Sequence, residues 1–156
     1  MNIKGKNAII TGASKGIGRA IAERLASEGV NVILAARTKA ALDQTVGEIQ
    51  SKSSAKVLGV PTDVGVFDDL QHLVSTANQE CGPIDILINN AGVSSQYPFE
   101  TQPFEDFERL VQTNYLGYVR LIRLVINQMI ERGEGTIINS VSGSTLVDPI
   151  PRGFLT

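Results

Sequence analysis

The sequence predicts an α/β protein built as a doubly wound parallel sheet, with its strands in the order 3-2-1-4-5. Short apolar runs alternate with longer amphipathic ones along the whole chain. Strict alternation of strand and helix calls for parallel strands joined by right-handed helical crossovers. The apolar runs are continuous, with no polar residue at every second position, as in sheets covered on both faces. A glycine-rich turn follows the first run, where such sheets bind ligands.

"NAIIT" (7–11) reads as the first buried strand, and "GRAIAERLASEG" (18–29) has apolar residues at helical spacing with a glycine stop. "VNVILAA" (30–36) is the second strand. "TKAALDQTVGEIQSK" (38–52) follows as a helix with Thr38 as its N-cap. "KVLGVPTD" (56–63) is the third strand, ended by Pro61, and "VFDDLQHLVSTANQECG" (66–82) the third helix. "IDILINNAG" (84–92) is a fourth strand running into a turn. Residues 103–133 are helical throughout and are expected to form two consecutive helices, and "GTIINS" (135–140) is the fifth strand.

A chain of 156 residues fits a single domain, 1–156. With 42% hydrophobic and 19% charged residues it can bury a core. A net charge of -2 gives no general attraction to nucleic acid or to an acidic membrane. No apolar run approaches the length of a membrane span, and the N-terminus lacks a secretory h-region. The cytoplasm is therefore the expected compartment. The single cysteine, Cys81, has no metal-ligand neighbours and reads as a small hydrophobe near a helix end. His72 reads as a residue on a solvated helix face, and no metal site is expected.

"TGASKGIG" sets Gly12, Gly16 and Gly18, with Ser14, Lys15 and Ile17 between them, in the first strand–helix turn. Glycines there let the chain turn sharply, let its backbone approach a pyrophosphate, and let helix pack against strand. The helix start offers free N–H groups and the positive end of its dipole to phosphate. A dinucleotide site follows. A Walker loop does not fit, because no Lys-Ser/Thr follows the last glycine. At the end of the second strand, where an NAD site wants an acid, the sequence has Arg37 in "LAART" and no acid before Asp43. A guanidinium there, with Lys15 nearby, binds a 2′-phosphate that a carboxylate would repel. NADP(H) is the expected cofactor.

"TGASKGIG", "NNAG" (89–92), "NYLG" (114–117) and "IINSVSG" (137–143) occur in order. On these motifs the chain resembles the short-chain dehydrogenase/reductase family, a Rossmann-like fold. Within it, the chain is most similar to 3-oxoacyl-(acyl-carrier-protein) reductases and other NADP-dependent ketone reductases. The resemblance implies that Asp63 and Val64 border the adenine, and that Asn90, Ala91 and Gly92 run along the cofactor near the adenosine ribose. It implies that Asn114 holds a water in a proton relay and supports an active-site lysine. It implies that Ser142 hydrogen-bonds the carbonyl oxygen of a ketone or acyl-thioester substrate, with Ser140 and Ser144 close enough to compete for that assignment. It further implies a homo-oligomer whose subunits meet through the long helix 103–133 and a following helix.

In the family the proton passes through Tyr-x-x-x-Lys, a little over a dozen residues beyond the serine. In this sequence no Tyr follows Ser142 and no Lys follows Lys56. Tyr97, Tyr115 and Tyr118 match nothing catalytic in the pattern. The chain is thus expected to be the N-terminal part of a reductase, truncated before the C-terminal strands and helices. It should carry most of the cofactor half, have negligible activity alone, and expose an apolar helix face. The competing expectation is a non-catalytic dinucleotide-binding module. A flavodoxin-like or receiver domain would leave the glycine turn and "NNAG" without a purpose. Two readings stay open for "SSQYPFETQPF" (94–104): Tyr97, Phe99 and Phe104 either border a substrate pocket or anchor the loop.

Overall fold

Within each buried strand, successive side chains point to opposite faces of the sheet. Ala8 and Ile10, Val32 and Leu34, and Ile86 and Ile88 all join one apolar cluster, with Ala22, Ala26, Leu42 and Ile49. The intervening Ile9, Ile33, Ala35 and Leu87 join a second cluster, with Leu70, Leu73, Leu121, Val125 and Met129. Two cores, one on each face, explain why the strands read as unbroken apolar runs.

The computed structural model describes residues 3–141. The chain runs β1 (Asn7–Thr11), α1 (Gly16–Ser27), β2 (Asn31–Ala36), α2 (Lys39–Gln50), β3 (Val57–Pro61), α3 (Phe67–Cys81) and β4 (Ile86–Asn89). A short 3₁₀ turn, Phe99–Thr101, then leads into α4 (Phe104–Val111). A π-helical turn (Gln112–Leu116), α5 (Gly117–Arg132) and β5 (Thr136–Asn139) follow. All pairings are parallel, and the order is β3-β2-β1-β4-β5, as the sequence predicts. Helices α1 and α2 cover one face, and α3 and α5 the other. The winding reverses between β1 and β4, and in such sheets the reversal opens a crevice at the carboxyl ends of the strands.

The opposite, amino ends are tied by asparagines. Asn7 Nδ2 donates to the carbonyls of Cys81 (2.8 Å) and Pro83 (2.9 Å), and Asn31 Nδ2 donates to Asn7 Oδ1 at 2.9 Å. The Lys56 N–H donates to Asn31 Oδ1 at 3.0 Å, so one polar chain links the starts of β1, β2 and β3. Fixing the strand starts fixes the register, and the register places the carboxyl ends against each other.

Several boundaries differ from the sequence reading. Helix α1 begins at Gly16, directly after the extended Lys15. Strand β4 ends at Asn89 because Thr11 draws the next two amides out of the sheet. Thr38 holds the N-cap position of α2 with extended dihedrals, yet its hydroxyl makes no capping hydrogen bond. Residues 104–132 form a single helical path in which α4 and α5 join through the π turn, with α-helical dihedrals at the junctions. His72 is exposed and Cys81 is the last residue of α3, as expected. Tyr115, Val119 and Ile130 are exposed along the α4–α5 path, the element that the resemblance assigns to subunit contact. No helix among the described residues is long and apolar enough to cross a membrane.

Candidate functional site

The glycine turn leaves β1 at Thr11 and doubles back into α1. Gly12 has φ +67°, in the left-handed region where a side chain is strained. A Cβ on Gly18 would lie 2.5 Å from the Gly12 carbonyl oxygen and 2.6 Å from Asn90 Nδ2, so only glycine lets α1 sit this close to the strand ends. The first turn of α1 has no side-chain cap and no acidic residue. Its N–H groups are thus left to a ligand, and a negative one is favoured there.

Thr11, fully buried, organises the next strand end. Its Oγ1 accepts the N–H groups of Asn90 and Ala91, each at 2.9 Å, while Asn90 Nδ2 donates to the Thr11 carbonyl at 3.0 Å. One hydroxyl thereby bends the chain after β4 so that it passes beside the glycine turn. Sequence reasoning did not single out Thr11. The available signal was a polar side chain closing an otherwise apolar strand.

Residues 91–93 are then gripped from the helix side. Asn114 Oδ1 accepts the Val93 N–H at 2.9 Å, and Asn114 Nδ2 donates to the Val93 carbonyl at 2.7 Å. The Tyr118 hydroxyl donates to the Ala91 carbonyl at 3.0 Å. Burial pushes the Tyr118 phenol above its usual value, which keeps the proton on that donor. Asn114 lies within the π turn, a widened helical turn that recurs at functional sites.

The loop after β3 is closed on itself. Asp63 Oδ1 accepts the Gly65 N–H at 2.9 Å, and Asp69 Oδ2 accepts the Asp63 N–H at 2.8 Å. This is an Asx-type turn, and Asp63 is not the cap of α3, whose N-cap position belongs to Val66. Gly117, at the start of α5, lets the helix touch this loop: a Cβ there would meet the Val64 carbonyl oxygen at 2.6 Å. Arg120 Nη1 donates to the Gly65 carbonyl at 3.3 Å and to Gln112 Oε1 at 3.0 Å.

These segments enclose two adjoining cavities. The first, about 560 Å³, is lined by the turn (Gly12, Ser14, Lys15, Gly16, Ile17), by Arg37 and Thr38, by Asp63 and Val64, and by Asn90, Ala91 and Gly92. All the predicted cofactor residues but one line this cavity; the exception, Gly18, is buried and serves the packing of α1. The second, about 600 Å³, shares Ile17, Asn90, Gly92 and Val93 with the first and adds Asn114, Tyr115, Tyr118, Asn139 and Ser140. A strip of backbone, 90–93, therefore forms a common wall. Tyr115 and Tyr118, for which the sequence suggested no role, line the second cavity, whereas Tyr97, Phe99 and Phe104 are exposed and line neither. Ser142, the predicted carbonyl-binding residue, and Ser144 lie outside the described residues. Among the described residues no group of His, Cys, Asp and Glu could hold a metal ion.

The residues present fit a dinucleotide. The uncapped amides at the start of α1 suit a diphosphate, Lys15 and Arg37 line the first cavity, and the second cavity shares Asn90, Gly92 and Val93 with it. Comparison with known proteins agrees. Residues 6–152 match the family model for short chain dehydrogenases. A ketoacyl reductase, HetN, from Nostoc sp. is 36% identical over 140 residues, covering 90% of this chain and 48% of that protein. The 3-oxoacyl-[acyl-carrier-protein] reductase FabG of Vibrio harveyi is 37% identical over 142 residues, covering 89% of this chain and 55% of that protein. The crystal structure of L-sorbose reductase from Gluconobacter frateurii, complexed with NADPH and L-sorbose, superposes with a TM-score of 0.91 at 34% identity, covering 97% of this chain and 58% of that one. A short chain dehydrogenase/reductase from Burkholderia phymatum in complex with NAD gives 0.92 at 33% identity, covering 98% of this chain and 54% of that one. The chain spans about half the length of the curated relatives it matches. With the turn, the strip, the strand order and the matched span in agreement, this chain belongs to the short chain dehydrogenase family.

Proposed function

We propose that the chain supplies the NADP(H)-binding part of an oxidoreductase that moves a hydride between NADPH and a ketone or alcohol, with 3-oxoacyl thioesters as the substrate class. The single observation behind the cofactor choice is that Lys15, Arg37 and Thr38 all line the first cavity. No carboxylate stands at the end of β2 to take a ribose 2′-hydroxyl, and a guanidinium there suits a 2′-phosphate. The substrate class rests on likeness to the ketoacyl and 3-oxoacyl reductases.

In this reading the residues take the roles that the family resemblance implies. The first-turn amides of α1 hold the diphosphate, and Asp63 and Val64 border the adenine. Thr11, Asn114 and Tyr118 fix the 90–93 strip along the cofactor. Bound NADPH supplies the hydride. Ser142 is proposed to hold the substrate carbonyl oxygen, and Asn114 to support that side of the site by holding Val93 in place.

Calorimetric titration with NADPH and with NADH tests the cofactor assignment. Wild type is expected to favour NADPH, and Arg37→Asp to lose about tenfold or more in NADPH affinity while NADH binding is kept. The estimate follows from about 1.5–3 kcal/mol for a hydrogen bond to a charged group. A variant that retains the NADPH preference would refute the assignment.

The 156 residues contain no Tyr-x-x-x-Lys after Ser142. General acid catalysis is worth typically about 10²–10⁴-fold. The polypeptide 1–156 is accordingly expected to bind NADPH yet oxidise it no faster than a protein-free blank when given ethyl acetoacetate. Measurable turnover would show that residues 1–156 contain a proton donor of their own.

A further inference from the structure

The glycine turn is held from a side that no motif describes. Thr45 lies in the middle of α2, on the stripe with Leu42 and Ile49 that packs against the sheet, and it is 1% exposed. A polar residue at such a position must find a partner. Its Oγ1 lies 2.9 Å from the Ala41 carbonyl, one helical turn back, and 3.1 Å from the carbonyl of Ser14 in the glycine turn. The hydroxyl has one proton for these two oxygens. The Ala41 carbonyl already accepts a backbone N–H within α2. The Ser14 carbonyl lies outside any helix, so the proton does most there.

Other contacts give this tie a purpose. The Ala13 N–H donates to the Ala35 carbonyl at 3.2 Å, which fixes the turn on the side of β2. Arg19, in the first turns of α1, is paired with Glu48, one turn beyond Thr45 on α2. Helix α2 thus touches the turn at Ser14 and the start of α1 at Arg19. Lys15, adjacent to Ser14, and Arg37 and Thr38, just before α2, line the same cavity. The cations come from two separate segments of chain, and the Thr45 hydroxyl reaches from α2, which follows one of them, to Ser14 in the other.

We propose that Thr45 is a positioning residue for cofactor selection, holding the Ser14–Lys15 corner against α2 so that Lys15 and Arg37 act together on one phosphate. The inference rests on the NADP(H) reading above. Thr45→Val preserves shape and removes the donor, and Thr45→Ala removes it without any steric demand. Thr45→Ser keeps the hydroxyl.

The test is titration of the full chain with NADPH and NADH, alongside thermal unfolding. Both hydroxyl-free variants are expected to lose about three- to tenfold in NADPH affinity, the usual worth of one hydrogen bond, with a smaller loss for NADH. Thr45→Ser should restore wild-type selectivity. In a Lys15→Ala background, Thr45→Val should leave the NADPH:NADH ratio unchanged, since the positioned cation is gone. A merely structural threonine would lower the melting temperature and weaken both cofactors equally. If Thr45→Val and Thr45→Ala retain wild-type selectivity, the proposal is overturned. If wild type binds neither cofactor, the NADP(H) reading itself has failed. If Thr45→Val does not fold, Thr45→Ala and Thr45→Ser carry the comparison.

Discussion

Gly18→Ala is expected to disable the site and to lower the melting temperature sharply. The added carbon would stand 2.5 Å from the Gly12 carbonyl oxygen and 2.9 Å from the Gly12 carbonyl carbon. Both are backbone atoms, so no rotamer change relieves the clash. Asn90 Nδ2, at 2.6 Å, would have to move too, and with it the hydrogen bond that it donates to the Thr11 carbonyl. Overpacking of this kind costs about 1–3 kcal/mol, and rigid neighbours place it at the upper end. Cofactor affinity should fall further than stability, because both cavity walls shift together. Gly47→Ala is the control. It lies within α2, and a carbon there meets nothing within 4 Å. That variant should gain about 0.5–1 kcal/mol from reduced backbone freedom in the unfolded chain. Thermal unfolding of the two variants reads both signs. A Gly18→Ala protein with wild-type melting and NADPH binding would show that α1 does not sit where described.

Asn114→Leu should be comparably damaging through a different cause. The carboxamide makes a reciprocal pair with Val93, accepting its N–H at 2.9 Å and donating to its carbonyl at 2.7 Å. Leucine keeps the branched shape and offers neither. These groups are part-buried, so water meets some of what the carboxamide supplied, and the variant should lose about 1–3 kcal/mol. Val93 belongs to the wall shared by both cavities, so NADPH affinity should drop as well. Tyr118→Phe removes only one bond to the same strip, at Ala91, and should cost less than half as much. Chemical denaturation of the two variants gives the order. Equal stability of Asn114→Leu and wild type would mean that Val93 finds other partners and that the π turn is not the brace described.

The fold was legible in the sequence because its cause is local and repetitive. A strand buried on both faces must be apolar through its interior, as residues 8–10 and 32–36 are, and the helices between them show one apolar stripe each. The glycine turn was legible for a similar reason, since only glycine tolerates those contacts and dihedrals. The π turn was not, because "QTNYL" has ordinary helical residues, and the widening answers to the partner at Val93. Nor did the aromatic residues of 94–104 reveal that they are exposed and line neither cavity, while Tyr115 and Tyr118 line the second. Side-chain direction there depends on how α4 and α5 lie across the sheet.

The chain's residues alone determined the sheet, its winding, the glycine-rich turn and the presence of positive charge beside it. These depend on periodicity and on residue types that admit few conformations. Only the tertiary structure decided which polar side chains hold the site in shape: Thr11 on the amides of residues 90 and 91, Asn114 on Val93, and Thr45 on Ser14. Each of those bonds joins residues at least 21 positions apart. A hydroxyl or carboxamide that reads as a neutral substitution within its own segment acquires its purpose only when folding brings a distant backbone group within reach.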